Sequence, residues 1–381
     1  MNSKNTEKTF FEGKRPWSKI KDSILKDYLP IYLSKVSKLY RPIILIDAFA
    51  GPGVFKDGSE GSPIIMAKSA ERYAKGKYLA IFVNSEEEHH TRLEKELKKV
   101  SDTALTILGT AQELLREVKK VLSNQTVFVY LDPFGLKDCE FSLLKPFLER
   151  STSYSTEIII NMSMPTLHRL ATSKAKMAGK ETSQTKALNE RLTKVLGGDY
   201  WKKIMWNTSL NSQEKETKVM EKYRELLSKY LSYEGSCPVK ERREKRVKYF
   251  ITLCSRHQDA MLLMNDIMCK AYFKQMHEIE FKGTLFEGKL DWRTTKETGD
   301  IEPIILDAAN HISGKSRKDL WLSILQKHFM RWTSSEYKNS VQKLVEQGEL
   351  FCPTPHKRKQ LNDACLLFPK NKDFIHRSRG G

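Results

Sequence analysis

The chain has 381 residues, too many for one small core, and its 39% apolar content suits a globular protein of two domains. There is no run of ~18 apolar residues and no apolar signal core in Met1 to Lys8, so composition argues against a helical membrane protein and against secretion. The formal net charge is +19, and almost all of the excess lies in residues 165–249 and 311–381, a concentration that points to contact with a polyanion.

In chain order, residues 17–40 read as a helix. Trp17, Ile20, Ile24, Tyr28, Ile31 and Tyr32 recur at three- and four-residue steps, and Pro30 is expected to kink or break it. A strand at 42–47 follows, then a loop through Asp57–Pro63 and a helix at 63–75 with proline at its start. Strands at 78–84, 104–108, 126–131 and 158–161 alternate with helices at 86–100 and 111–122, which predicts a parallel, doubly wound α/β sheet. Ligands of such sheets sit beyond the C-terminal ends of the strands, where Asp47, Asn84, Gly109, Asp132 and Asn161 fall.

Residues 165–248 show no clear strand and read as a basic helical insertion, a lid or clamp, interrupted at Gly197-Gly198 and Gly235. Its basic run Lys240 to Lys248 reads equally as substrate contact or as a solvated face. Tyr249–Cys254 reads as a sixth strand, 257–273 as a helix whose Met261, Met264 and Met268 are packing, and 279–286 as a further strand. The α/β domain is thus expected over 1–164 and 249–295.

Residues 296–381 have a different rhythm. Helices are expected at 302–312 and 317–329, and a third is opened by Thr333 and Glu336 at capping-box spacing and stopped at Gly348. Leu350–Cys352, a basic turn at 353–360 and Ala364–Phe368 complete a winged-helix pattern. In that pattern the third helix enters a groove, and the wing, with His356, Lys357, Arg358 and Lys359, touches phosphate. Arg377 and Arg379 extend the basic character into the tail. The six cysteines (Cys139, Cys237, Cys254, Cys269, Cys352, Cys365) form no Cys-x-x-Cys, and their spacings fit neither a zinc site nor a disulfide framework. Reduced thiols in a cytoplasmic protein without a metal are the expectation.

Two segments carry the chemistry. In Asp47-Ala48-Phe49-Ala50-Gly51-Pro52-Gly53 no Gly-Lys-Ser/Thr follows the glycines, and Lys56 stands where a dinucleotide fingerprint needs its third glycine. The loop is therefore not read as a pyrophosphate cradle. Asp132-Pro133-Phe134-Gly135 closes the fourth strand. There the Asp132 carboxylate and Pro133 carbonyl could accept both N–H groups of an aryl amine, while Phe134 offers a stacking face to a base taken out of its helix.

The first loop resembles the S-adenosylmethionine (SAM) loop of class I methyltransferases. The second resembles the catalytic loop of exocyclic-amine enzymes such as tRNA guanine-N2 dimethyltransferases, and is related to the Asn/Asp-Pro-Pro-Tyr loop of adenine-N6 enzymes. Together with Trp17–Lys21, Gly61-Ser62-Pro63 and Ile160-Asn161, they make most of residues 15–290 similar to the three-Cys-motif partner protein family (TcmP). The resemblance implies a Rossmann-like class I methyltransferase sheet with a helical insertion and a C-terminal winged-helix domain. It also implies SAM as cofactor, a nucleic-acid base as acceptor, and a partner protein with three cysteines. Carried over residue by residue, Asp47, Phe49, Gly51, Gly53, Asn84, Glu86, Thr110, Ala111 and Asp132 bind the cofactor, and Asp132, Pro133 and Phe134 act in catalysis. Two positions depart from the family pattern: Asn84 stands where an acidic residue tends to end the second strand, and Thr110 follows Gly109 where an aspartate is usual.

The expected activity is SAM-dependent N-methyl transfer to an exocyclic amine of an RNA or DNA base. Phe134, Asn161, Arg242, Arg243, Lys357, Arg358 and Lys359 are the expected substrate contacts. The competing readings are a non-catalytic nucleic-acid-binding module of the same fold and a protein or peptide methyltransferase working with a partner protein.

Overall fold

Apolar runs that end in turn residues become the central strands of the protein, whose computed structural model describes residues 16–171, 182–353 and 361–370. The chain divides into two units between Met261 and Leu262. In the first unit the elements run α1 (Pro16–Val36), β1 (Ile43–Asp47), α2 (Ser62–Ala74), β2 (Tyr78–Asn84), α3 (Glu87–Leu97), β3 (Ala104–Leu108), α4 (Ala111–Val121), β4 (Thr126–Leu131), α5 (Phe141–Leu148), β5 (Thr156–Ser163), α6 (Met164–Leu170), α7 (Ser183–Leu196), α8 (Trp201–Met205), α9 (Ser212–Ser228), β6 (Tyr233–Lys240) and β7 (Val247–Ser255).

The seven strands form one sheet in the order β3-β2-β1-β4-β5-β7-β6. Strands β1 to β5 are mutually parallel, and β7 runs antiparallel to both β5 and β6. This is a Rossmann-like, doubly wound sheet closed at one end by a hairpin. The winding direction reverses between β1 and β4, and a crevice opens at such a switch point. Strand β4 is buried at every position, as befits a strand covered on both faces. Val127, Val129 and Leu131 share a core with Leu115, Phe147, Leu192 and Tyr223. On the opposite face, the rings of Tyr28 and Tyr32 from α1 lie 6.3 and 5.3 Å from Phe128.

Four expectations for this unit are corrected. Helix α1 runs unbroken through Pro30, because Ile24, Leu25, Tyr28, Leu29, Tyr32 and Leu33 are buried against the sheet on both sides of it. The carbonyl that proline leaves without an N–H partner belongs to Lys26, which is exposed and can bond water. Ile31, expected on the buried face, is exposed. Residues 165–248 are not wholly helical, since Tyr233–Lys240 is the edge strand β6, where Pro238 costs no ladder bond toward a further neighbour. Nor is the helical part a detached lid: Leu192, Val195, Trp201, Val219 and Tyr223 belong to the same core as the sheet.

In the second unit, α10 (Gln258–Phe281) continues in from the first and covers the start of 279–286, where a strand was expected and turns follow the helix instead. Then come α11 (Glu302–His311), β8 (Lys315–Ser316), α12 (Arg317–His328), α13 (Ser334–Glu346), β9 (Leu350–Phe351) and β10 (Leu366–Pro369), with an antiparallel sheet in the order β8-β10-β9. Trp321 stacks on Tyr337 at 4.6 Å over a core of Ile305, Leu325, Val341 and Leu367. Thr333 and Glu336 form the expected capping box, and Gly348 takes a positive φ of 71° after the helix. The division falls earlier than the expected boundary near 295, because α10 is tied to this unit. Buried Asn265 accepts from Met330 N–H at 2.7 Å and donates to the Trp332 carbonyl at 2.8 Å, and Asp266 accepts from Ser334 N–H at 2.8 Å.

Among the described residues no helix is long and apolar enough to cross a membrane. No group of three or more His, Cys, Asp or Glu there could hold a metal ion.

Candidate active site

A cleft of about 450 Å³ opens at the C-terminal edge of the parallel strands, on the β1/β4 switch point. Its walls include Phe49, Gly51, Gly53, Asn84, Glu86, Thr110, Ala111, Asp132, Pro133, Phe134 and Asn161, all of them singled out in the sequence. Asp47 is absent from the walls. It is fully buried beneath its loop, where Oδ1 accepts from Phe49 N–H at 3.1 Å and Oδ2 from Ser62 Oγ at 2.6 Å. Burial pushes its carboxyl from 3.8 up to about 7, against the pull of those two hydrogen bonds. The sequence reading placed Asp47 among the cofactor-binding residues. In the structure its carboxyl shapes the loop from beneath, through the bonds from Phe49 and Ser62.

The loop is closed by the backbone. Gly61 N–H bonds the Gly53 carbonyl at 2.6 Å, and Ala50 N–H bonds the Val83 carbonyl at 2.9 Å. Gly53 adopts φ +82°, and a Cβ there would stand 2.9 Å from Leu93 Cδ1, so any other residue is strained at this position. The Asn84 amide donates to the Gly51 carbonyl at 3.3 Å, which makes this polar strand end a tie across the loop. Glu86 precedes α3 and presents a half-exposed carboxylate to the cleft, 3.8 Å from His89. Thr110 caps α4 in a reciprocal box with Glu113, whose carboxylate takes both the Thr110 N–H (2.8 Å) and the hydroxyl (2.9 Å). Those bonds hold the Glu113 carboxyl below its usual range and commit the Thr110 hydroxyl to the cap.

The second loop is strained. Gly135, Leu136 and Asp138 take φ values of 70°, 62° and 55°, and two of these are non-glycine residues in the left-handed region. Phe134 is more than half exposed at the cleft. Asp132 Oδ2 accepts a hydrogen bond from Lys21 Nζ, and that ammonium lies 5.1 Å from the Tyr249 ring centre. The guanidinium of Arg169, which makes no ion pair among the described residues, stands 3.5 Å from the point a Gly135 Cβ would occupy. Asn161, in the floor, donates to the Tyr130 hydroxyl at 3.0 Å, while its buried Oδ1 has no partner among the described residues.

Lys21, Asp22, Arg169 and Tyr249 also line the cleft and were not read as site residues, and so does Lys248, the end of the run read equally as substrate contact or solvated face. Lys21 lies in the Trp17–Lys21 stretch that was noted, and helical spacing places it one turn before the buried Ile24, but 111 residues separate it from Asp132. Arg242 and Arg243 lie outside the walls, on the β6–β7 turn. Ser163 pairs with Tyr249 and Lys240 with Val247, so that turn projects from the same sheet edge as the cleft. Lys357, Arg358 and Lys359 lie outside the described residues, as do His356, Arg377 and Arg379.

No family model matches the sequence, and no curated protein matches it. Solved structures do. A proposed O-methyltransferase from Klebsiella pneumoniae shares 10% identity over 67% of this chain and 96% of that one, with a TM-score of 0.32. The O-methyltransferase from Bacillus cereus in complex with SAH shares 11% over 66% and 95%, at 0.33. A proposed rRNA methylase from Clostridium thermocellum shares 10% over 61% and 97%, at 0.30. The chemistry of the cleft is therefore read from its own residues.

Proposed function

We propose that the protein is a SAM-dependent methyltransferase acting on an exocyclic amine of a nucleic-acid base. The observation that carries this reading is the single cleft in which the Asp47 loop and the Asp132–Gly135 loop meet across the switch point. The cofactor half suits the group: Gly51 and Gly53 put side-chain-free backbone on the wall where a ligand's amino-acid end would lie, the Asp47 carboxyl sits beneath that loop, and Glu86 offers a carboxylate to a ribose. SAM, when bound, supplies an electrophilic methyl group.

The chain's own residues do the rest. Lys21 holds Asp132 Oδ2 and leaves Oδ1 to accept an N–H of the amine, and the Pro133 carbonyl stands next to it in the chain for the second. Localising the lone pair on nitrogen in this way raises its nucleophilicity. The Phe134 ring stacks the extruded base.

Support for a nucleic-acid substrate comes from the cations beside the cleft. Arg169 stands on its wall, with Lys248 beside Glu241 at 3.5 Å, and Lys240, Arg242, Arg243 and Lys245 stand on the hairpin at the same edge. The element order and the β8-β10-β9 sheet of the second unit support the winged-helix reading. Its third helix does not read as the phosphate surface, because Lys343 bonds Glu302 at 2.7 Å and Lys338 lies 3.7 Å from Asp363. The TcmP resemblance extends the proposal to a partner protein with three cysteines. The binding-module alternative draws on the Asn84 amide and Thr110 hydroxyl, both engaged within the protein.

Calorimetry with SAM tests the cofactor: micromolar binding that is lost in Asp47→Ala is expected. No binding by wild type, with or without RNA or DNA, refutes the reading. Tritiated SAM then labels an acceptor that nuclease destroys and protease spares, and Asp132→Ala abolishes the labelling while SAM binding persists. A protease-sensitive acceptor overturns the nucleic-acid assignment.

A further inference from the structure

The floor of the cleft holds two unmet hydrogen-bonding groups side by side. Asn161 Nδ2 donates to the Tyr130 hydroxyl at 3.0 Å, which orients the amide so that its Oδ1 has no donor. The Tyr130 hydroxyl, having accepted that bond, has no acceptor for its own hydrogen among the described residues. Both side chains are almost fully buried and both border the cleft. Burial, with Asp132, Asp22 and Asp47 nearby, keeps the phenol protonated and therefore a donor. Buried polar groups are nearly always paired, and an unpaired acceptor costs about 1–3 kcal/mol. A pair that folding leaves open at the floor of a ligand cleft is arranged for what enters it.

Strand register explains the placement. Asp47 lies opposite Tyr130, and Tyr130 opposite Ile159, so Tyr130, Asp132 and Asn161 project from one face of the sheet at its C-terminal edge. Tyr130 therefore sits one row beneath Asp132, and Asn161 level with Asp132 on the neighbouring strand.

We propose that Asn161 and Tyr130 read the acceptor base through an amidine edge, an exocyclic N–H next to an unprotonated ring nitrogen. Asn161 Oδ1, in place of the Pro133 carbonyl, accepts the amine N–H on the ring-nitrogen side, Asp132 Oδ1 keeps the other N–H, and the Tyr130 hydroxyl donates to the ring nitrogen. The inference rests on the amine-methyltransferase reading and deepens it. Adenine, cytosine and the N2/N3 edge of guanine present such an edge; uracil and thymine, with a carbonyl where Asn161 needs a donor, do not. A site built around such groups rejects a ligand that leaves them unpaired more strongly than an apolar pocket could.

The test is a cycle between protein and substrate. Tritiated SAM labels RNA and single-stranded DNA pools, nucleoside analysis identifies the methylated base, and an oligonucleotide carrying that base is compared with its deaza analogue. In the analogue, C–H replaces the ring nitrogen beside the amine. With wild type, the deaza substitution lowers kcat/KM by about 10- to 100-fold; in Tyr130→Phe the same substitution costs less than about threefold, because its partner is already gone. Asn161→Leu lowers kcat/KM on the natural base by about 100-fold. Unchanged SAM affinity in both variants shows that they fold. Labelled amine with additive effects in the cycle overturns this inference alone. No transfer to any base amine overturns the reading on which it rests, and a label on uracil or thymine overturns both.

Discussion

Stability should fall as the pH rises, and Asp47 should be one of two residues that make it do so. The carboxyl sits at 0% exposure at the end of β1, and burial raises it from 3.8 to about 7. Glu157, buried at the start of β5 with hydrogen bonds from Tyr28 and Ser255, is raised from 4.5 to about 7 by the same cause. In each case the folded value exceeds the unfolded one. The native state therefore keeps a proton that the unfolded chain has released, and the stability present below about pH 4 is lost as the pH climbs through 7. Between pH 5 and pH 8 about two units of that window are crossed at each site, which at ~1.36 kcal/mol per unit is about 2.5 kcal/mol per residue and about 5 for the pair. Asp47→Asn preserves an acceptor for Phe49 N–H and removes the titration, so it should abolish about half of the slope, and Glu157→Gln the other half. Hydrogen exchange of the β4 and β5 amides, corrected for intrinsic rates, reads the opening free energy of this unit at both pH values. A wild type equally stable at pH 5 and pH 8 refutes the reasoning. So does an Asp47→Asn variant that keeps the whole slope.

Gly53→Ala should destabilise the first unit by about 1–3 kcal/mol, since its φ of +82° and the 2.9 Å approach to Leu93 both oppose a Cβ; a urea midpoint equal to wild type contradicts this. Lys21→Met leaves Asp132 beside the cleft without its cation and should lower methyl transfer by about 10- to 100-fold with little change in SAM affinity; undiminished transfer would show that the ion pair does not position Asp132. Replacing Arg242 and Lys245 on the hairpin by alanine should reduce the salt dependence of nucleic-acid binding by roughly two units of slope. An unchanged slope would move phosphate contact elsewhere.

The parallel strands were legible because they are buried on both faces and so write continuous apolar runs, as in Val127 to Leu131. The two loops were legible because turns need particular residues, and all the strand-end positions except Asp47 reached the cleft wall. Strand β6 was hidden by Gly235 and Pro238, which lower strand propensity and are tolerated only because the strand lies at an edge. The core role of residues 183–228 was hidden for a different reason: an amphipathic helix shows that it has an apolar face and not what that face meets.

Charge was the least legible property, because pairing decides which cations can reach a ligand. The second unit's described residues hold 14 Lys+Arg against 14 Asp+Glu, so its basic excess belongs to residues 354–360 and 371–381, outside the described structure. Within the described part, Lys338, Lys343 and Arg317 face Asp363 or Glu302. In the first unit buried Glu216 likewise engages Arg246 at 2.8 Å and His168 at 2.9 Å, tying the base of the basic hairpin to α6. That tie commits one exposed cation to a buried carboxylate and fixes the hairpin to the helix that carries both His168 and Arg169. A net charge summed along the chain counts Arg246 and Arg169 equally. The fold uses the first to aim the hairpin and sets the second on the cleft wall with no ion pair among the described residues, so on the proposed reading the hairpin and α6 together would hold a phosphate backbone against the Asp132 loop.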